Sequence, residues 1–113
     1  MSKLAEQSCE ACKADAARVT KDEYQELLAQ IPEWQIISMD SIDRLNRIFK
    51  FEDYSKAAEF SNKVAGLAER ENHHPAILLE WGQGEVSWWT HKISGLHKND
   101  FISAAKTDFI LDS

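Results

Sequence analysis

The stretch Ala68–Trp81, AERENHHPAILLEW, decides the fold. Its first residues end a helical pattern. Upstream, Ala57, Phe60, Val64, Leu67 and Ala68 recur at steps of three, four, three and one, which makes one apolar stripe. Asp53 stands where an N-cap is wanted. The spacing predicts a helix from Tyr54 to Glu71. Pro75 then disfavours helical backbone at His74. The chain therefore leaves the helix at two adjacent histidines, His73 and His74, and turns extended. With only four histidines in 113 residues, the doublet calls for a chemical reason.

Downstream, AILLEW (Ala76–Trp81) and EVSWWT (Glu85–Thr90) read as two strands joined by GQG. A Gly82-Gln83 turn with glycine first predicts a type II′ hairpin. That register pairs Ile77 with Trp88 and Leu79 with Val86, and sets His74 opposite His91. A three-residue loop sets Pro75 opposite His91 instead. Either way the hairpin returns His91 to the doublet.

Upstream, TKDE (Thr20–Glu23) has the form of a capping box, and Tyr24, Leu27, Leu28 and Ile31 follow at helical spacing until Pro32. WQIIS (Trp34–Ser38) predicts a strand, MDSID a polar turn, and RLNRIFKF (Arg44–Phe51) a strand with Leu45, Phe49 and Phe51 on one face. Arg47 falls on that apolar face and is expected to snorkel or to pair with a carboxylate. Phe101, Ile102, Ala105, Phe109 and Ile110 predict a helix over 99–111. The order is α-β-β-α-β-β-α. It implies an α+β fold, a four-stranded antiparallel sheet with three helices packed on one face. Residues 1–19 read as a flexible N-terminal tail and 20–113 as a single domain.

The net charge of −6 and the lack of a basic stripe argue against nucleic acid as a partner. No apolar run has membrane-spanning length, and the N-terminus lacks the apolar core of a secretory signal. A cytoplasmic location is expected. Cys9 and Cys12 form one CEAC pair. A closed zinc site needs two further ligands and there is no second cysteine pair, so they read as free thiols.

Converging histidines suit a metal or acid–base chemistry. Adjacent histidines in extended backbone point to opposite faces, which opposes joint binding of one ion; no metal is expected. Histidine titrates near neutral pH and can exchange protons with different atoms of one substrate. Trp81, Trp88 and Trp89 crowd the same hairpin. Trp88 reads as core. Trp89 shares the face of His74 and His91 and either stacks on a flat heteroaromatic ligand or fills an interface.

These residues resemble the pterin-4a-carbinolamine dehydratases. The family's signature is an acidic residue, three residues, His-His-Pro, an aromatic after five, His after nine and Asp after at least eight. Here Glu69, His73-His74-Pro75, Trp81, His91 and Asp100 meet every spacing. The resemblance covers roughly residues 20–111 through PEW, LNRIFKF, YSKAAEF and THKISGL. CEAC and WWTHKISGLHKNDF look like the bacterial form that accompanies phenylalanine hydroxylase.

The resemblance implies a hydro-lyase. It would remove water from 4a-hydroxytetrahydrobiopterin to give quinonoid dihydropterin, so that tetrahydrobiopterin is recycled. The pterin is the substrate and no cofactor is needed. His73 and His91 match the family's acid–base histidines, and His74 the one that chiefly holds substrate. Glu69 and Asp100 match supporting positions. Asn72-His73-His74 and Trp89-Thr90-His91 match pterin-lining segments. Asn72 replaces an aspartate of some relatives. His97 replaces a capping Ser or Thr and reads as an exposed cap-region residue. The family forms homodimers or tetramers. Animal members double as dimerisation partners of a homeodomain transcription factor, so an interaction scaffold is one alternative. A dehydratase in another pathway, such as molybdopterin metabolism, is another.

Overall fold

Three helices and four strands build residues 19–111, the part of the chain that the computed structural model describes. They are α1 (Lys21–Leu28), β1 (Gln35–Met39), β2 (Ile42–Lys50), α2 (Tyr54–Glu71), β3 (Ala76–Glu80), β4 (Gln83–Trp88) and α3 (Lys98–Leu111). The order is the expected α-β-β-α-β-β-α. The strands form one antiparallel sheet in the order β1-β2-β4-β3, so the two hairpins join through β2 and β4. Cys9, Cys12 and nearly all of the expected tail lie outside the described residues. Val19 already belongs to the fold: it is buried, and its N–H donates to the Leu96 carbonyl at 2.9 Å.

The caps stand where expected. The Thr20 hydroxyl accepts from the Glu23 N–H at 3.3 Å, and Glu23 accepts from the Thr20 N–H at 3.0 Å. The helix ends at Leu28, before the fully buried Ile31 and the exposed Pro32. Asp53 accepts from the Lys56 N–H at 2.8 Å and opens α2. That helix has the predicted bounds, Tyr54–Glu71.

The first hairpin is tighter than expected and the second is displaced. In place of a five-residue turn, Asp40 and Ser41 alone join β1 to β2, both with positive φ (53° and 65°), as a type I′ turn requires. Between β3 and β4 the register pairs Ile77 with Val86, Leu79 with Gly84 and Glu80 with Gln83. The turn is Trp81-Gly82, not Gly82-Gln83. Gly82 takes the second turn position with φ 71°, and its carbonyl accepts from the Phe51 N–H at 2.8 Å. Gly84 is drawn into the strand because α2 passes close by; a Cβ there would lie 3.3 Å from Ser61 Oγ. The shift is two residues, so every side chain keeps its face.

Leu45, Phe49, Val86 and Trp88 point from the sheet into the core, against Phe60, Val64 and Leu67 of α2 and Phe101, Ile102 and Ala104 of α3. Phe49 and Phe60 meet at 4.5 Å between ring centroids. Tyr24 brings α1 against Phe101, at 6.2 Å. Arg47 finds its carboxylate: Asp108 Oδ1 lies 2.7 Å away and also accepts from the Trp34 indole at 2.8 Å. Met39, Ile48 and Leu78 stay exposed on the opposite sheet face.

The α3 stripe holds at Phe101, Ile102, Ala105 and Ile110 but not at Phe109. Phe109 is 72% exposed, while Asn99, Asp100, Phe101, Ile102, Ser103, Ala104 and Thr107 are buried. The buried polar groups are satisfied by hydrogen bonds, which is the condition for burying them. Thr107 Oγ1 donates to the Ser103 carbonyl at 2.7 Å and accepts from Trp88 Nε1 at 3.1 Å. Among the described residues, no helix is long and apolar enough to cross a membrane.

Two tests follow from this packing. Thr107→Val keeps the shape and removes the acceptor of the Trp88 indole. It should lower stability by about 1–3 kcal/mol, read as a lower urea midpoint at unchanged slope. An unchanged midpoint would mean that the indole has another acceptor. The second concerns Glu23. Hydrogen bonds from the Thr20 backbone and then from the Thr20 hydroxyl hold its carboxyl below the usual range. The folded value is the lower one. Its contribution to α1 is therefore complete above ordinary glutamate titration and is lost as pH falls through the folded value. A carbon NMR titration should give a Glu23 midpoint below that of an ordinary glutamate.

Candidate active site

The site begins where α2 stops. Asn72 adopts the left-handed conformation (φ 52°), which Asn tolerates better than most residues. The N–H groups of Asn72 and His73 both return to the Ala68 carbonyl, closing the helix end. The chain then runs extended, and the doublet divides. His73 turns inward and is 2% exposed. Its Nε2 lies 2.6 Å from Asp100 Oδ1, and its ring stacks on Trp88 at 5.4 Å and 17°. His74 turns outward and is 55% exposed, with Nε2 2.8 Å from Glu69 Oε2.

Asp100 sits in the first turn of α3 and is fully buried. Besides His73 it accepts from the Thr90 hydroxyl at 2.8 Å and from the His97 N–H at 2.9 Å. Burial of a carboxylate requires such donors. Thr90, expected to line a ligand, is itself 1% exposed, and its hydroxyl is engaged by Asp100.

His91 arrives by a route that the predicted hairpin lacked. The observed register continues to bring Trp89, not His91, level with His74. After β4, Thr90 and Gly95 bridge each other, and a single 3₁₀ turn, His91–Ile93, closes on left-handed Ser94 (φ 48°). This loop carries His91 back to the doublet. Its Nε2 stands 3.3 Å from the His74 carbonyl, and its ring meets Trp89 at 4.5 Å.

The signature residues Glu69, His73, His74, His91 and Asp100 thus join in one neighbourhood with Trp89 and Thr90. Asn72 contributes its backbone conformation. Trp81 stays apart as an exposed turn residue, 73% accessible. His97 is half-buried rather than exposed, and its Nδ1 accepts from the Asn99 N–H at 3.0 Å, a capping bond for α3. One residue of the neighbourhood escapes sequence reading: Arg44, whose guanidinium carbon lies 4.0 Å from the Trp89 ring centroid. Only the β2–β4 pairing, which sets Leu45 opposite Trp88, could have found it.

The arrangement has a clear chemical capacity. Each of the three imidazoles has its Nε2 beside an oxygen acceptor: Asp100, Glu69 or the His74 carbonyl. In the neutral form the acceptor holds the proton on Nε2, which makes Nδ1 the basic nitrogen. Oriented imidazoles can give protons to, or take them from, a molecule bound beside them.

An α+β domain with such a cluster defines a class, and comparison with known proteins gives the family. Residues 17–110 match the family model described as pterin 4 alpha carbinolamine dehydratase, and the chain belongs to that family. It is 61% identical over 108 residues to a protein of Marinobacter nauticus, covering 96% of this chain and 97% of that one. A relative from Nitrosococcus oceani is 55% identical, with 98% of each chain covered. Both carry the name "Putative pterin-4-alpha-carbinolamine dehydratase". The crystal structure of a transcriptional coactivator/pterin dehydratase from Brucella melitensis superposes with a TM-score of 0.75 at 32% identity, over 83% of this chain and 98% of that one.

The two carboxylates should respond differently to removal. Asp100→Ala leaves buried His73 and Thr90 without their acceptor and should cost about 3 kcal/mol of stability. Glu69→Gln alters an exposed pair and should change stability by less than about 1 kcal/mol. Urea titration of both variants checks the contrast; equal losses would contradict the burial argument.

Proposed function

We propose that the protein dehydrates a 4a-hydroxytetrahydropterin. The observation that carries this reading is the convergence of His73, His74 and His91, each with Nε2 against an oxygen acceptor, in a chain of the dehydratase family. The reaction needs two proton transfers. The bond from carbon 4a to the hydroxyl oxygen breaks as that oxygen receives a proton, and water leaves. The adjacent ring nitrogen gives up its proton as the carbon–nitrogen double bond forms. One imidazole in its protonated form serves the first transfer, and a second in its neutral form serves the other. His73 and His91 are assigned these transfers. His74, exposed and paired with Glu69, is assigned to hold the substrate.

Finer parts of the reading rest on the resemblance to the bacterial form. They are 4a-hydroxytetrahydrobiopterin as the substrate, quinonoid dihydropterin as the product, and phenylalanine hydroxylase as the enzyme that supplies the carbinolamine. A cytoplasmic homodimer or tetramer completes it. A second reading, a protein-interaction scaffold, is favoured by one observation: the Brucella relative is described as a transcriptional coactivator as well as a dehydratase.

The test generates the carbinolamine with a hydroxylase and follows its decay with and without the protein, at a pH where spontaneous dehydration is slow. Acceleration is expected. His91→Ala and His73→Ala should each lower kcat on the order of 10²-fold, and His74→Ala should chiefly raise KM. No acceleration by the parent protein sinks the dehydratase reading. Parent-like kinetics in all three variants would sink the site assignment alone.

A further inference from the structure

Arg44 is a cation with an unusual set of neighbours. Leu45 points into the core, so Arg44 points from β2 to the open face of the sheet. There its guanidinium carbon stands 4.0 Å from the Trp89 ring centroid. Its Nε is buried and has no hydrogen-bond partner among the described residues. No described carboxylate forms an ion pair with it either. Arg47, three residues on, shows the ordinary solution: it too lies over an aromatic ring, but Asp108 pairs its charge. A desolvated donor without an acceptor is unfavourable. Among the described residues, the attraction seen at Arg44 is that of the negative face of the indole.

The indole in turn touches His91, at 4.5 Å between centroids and 37° between planes. Among the described residues, His91 is otherwise held by one hydrogen bond of 3.3 Å to the His74 carbonyl. A single long bond at one ring atom leaves the imidazole free to rock about it. A flat neighbour removes that freedom. Trp89 therefore touches both Arg44 and His91, and the three make a column of contacts.

We propose that Arg44 is a positioning residue for His91, acting through Trp89. The indole then serves as a buttress, and the cation sets the pose of the buttress. The inference rests on the dehydratase reading for its catalytic consequence, but the column itself can be tested without substrate.

The experiment compares the parent protein with Arg44→Ala, Arg44→Lys, Trp89→Leu and the Arg44→Ala/Trp89→Leu double variant. Arg44→Met keeps the apolar stem and replaces Arg44→Ala if truncation loosens the sheet. The first readout is the imidazole proton resonance of His91 in the free protein. Ring current from Trp89 acts on it, so it should move in Arg44→Ala and return most of the way in Arg44→Lys. The second is dehydration kinetics. Arg44→Ala should lower kcat about five-fold, with KM within about two-fold, and Arg44→Lys should recover at least half of the loss. The double variant should be no slower than Trp89→Leu alone, because the first substitution acts only through the second residue. A His91 resonance that stays in place overturns the column. An unchanged kcat, or a fully additive double variant, overturns its role in positioning. A parent protein without activity sinks the dehydratase reading, and the resonance then still decides whether the column exists.

Discussion

A buried carboxylate constrains everything around it, and Asp100 is such a group. It has no contact with solvent and must be met by donors. Three come from three separate segments: His73 after α2, Thr90 after β4 and the His97 backbone before α3. Losing any one leaves part of a charge unsolvated, so the three segments hold one another in place. Asp100 also lies in the first turn of α3, where the aligned peptide dipoles favour an anion. The same contacts that close the fold orient His73. The helix start therefore cannot shift without disturbing the imidazole.

The adjacent histidines show how backbone geometry divides labour. Left-handed Asn72 turns the chain at the end of α2, and extended backbone then alternates the side chains. His73 is drawn into the core against Trp88 and Asp100, and His74 faces solvent with Glu69. The two histidines, adjacent in sequence, thus face different surroundings. Each has its own carboxylate, one buried and one free to move.

Much of this was legible before any coordinates, and the rest was hidden for physical reasons. Thr20, Asp53 and Pro75 act on their immediate neighbours, so the starts of α1 and α2 and the exit of α2 could be read locally. Hydrophobic period found the strands and the inward face of Leu45, Phe49, Val86 and Trp88. In α3 it misplaced only Phe109 and passed over Asn99, Asp100, Ser103 and Thr107, because a search for apolar spacing does not count satisfied polar groups. The second hairpin was displaced by two residues because Gly84 is needed under α2 and Gly82 alone serves the turn. An even displacement preserves the faces, so the inward side of β4 survived a wrong register, while His91 reaches the doublet through the turn after β4 and not through the pairing. Arg44 was invisible because its neighbour is set by pairing between β2 and β4, strands separated by a whole helix.

The sheet explains why the site stands where it does. Trp88 and Trp89 are consecutive and point to opposite sides of the sheet as β4 ends. Trp88 stacks on His73 on the side covered by helices, and Trp89 leans on His91 on the open side. Each histidine therefore has an indole behind it and an oxygen acceptor at Nε2, but the two supports are anchored differently. The Trp88 indole is fixed from within by Thr107, and the Trp89 indole is held from outside by Arg44. Only at the end of a strand can adjacent residues from both faces serve one site, because farther along β4 the sheet would separate them. The last residue of β4 and the residue after it are thus the one place on this strand where both histidines can be backed at once.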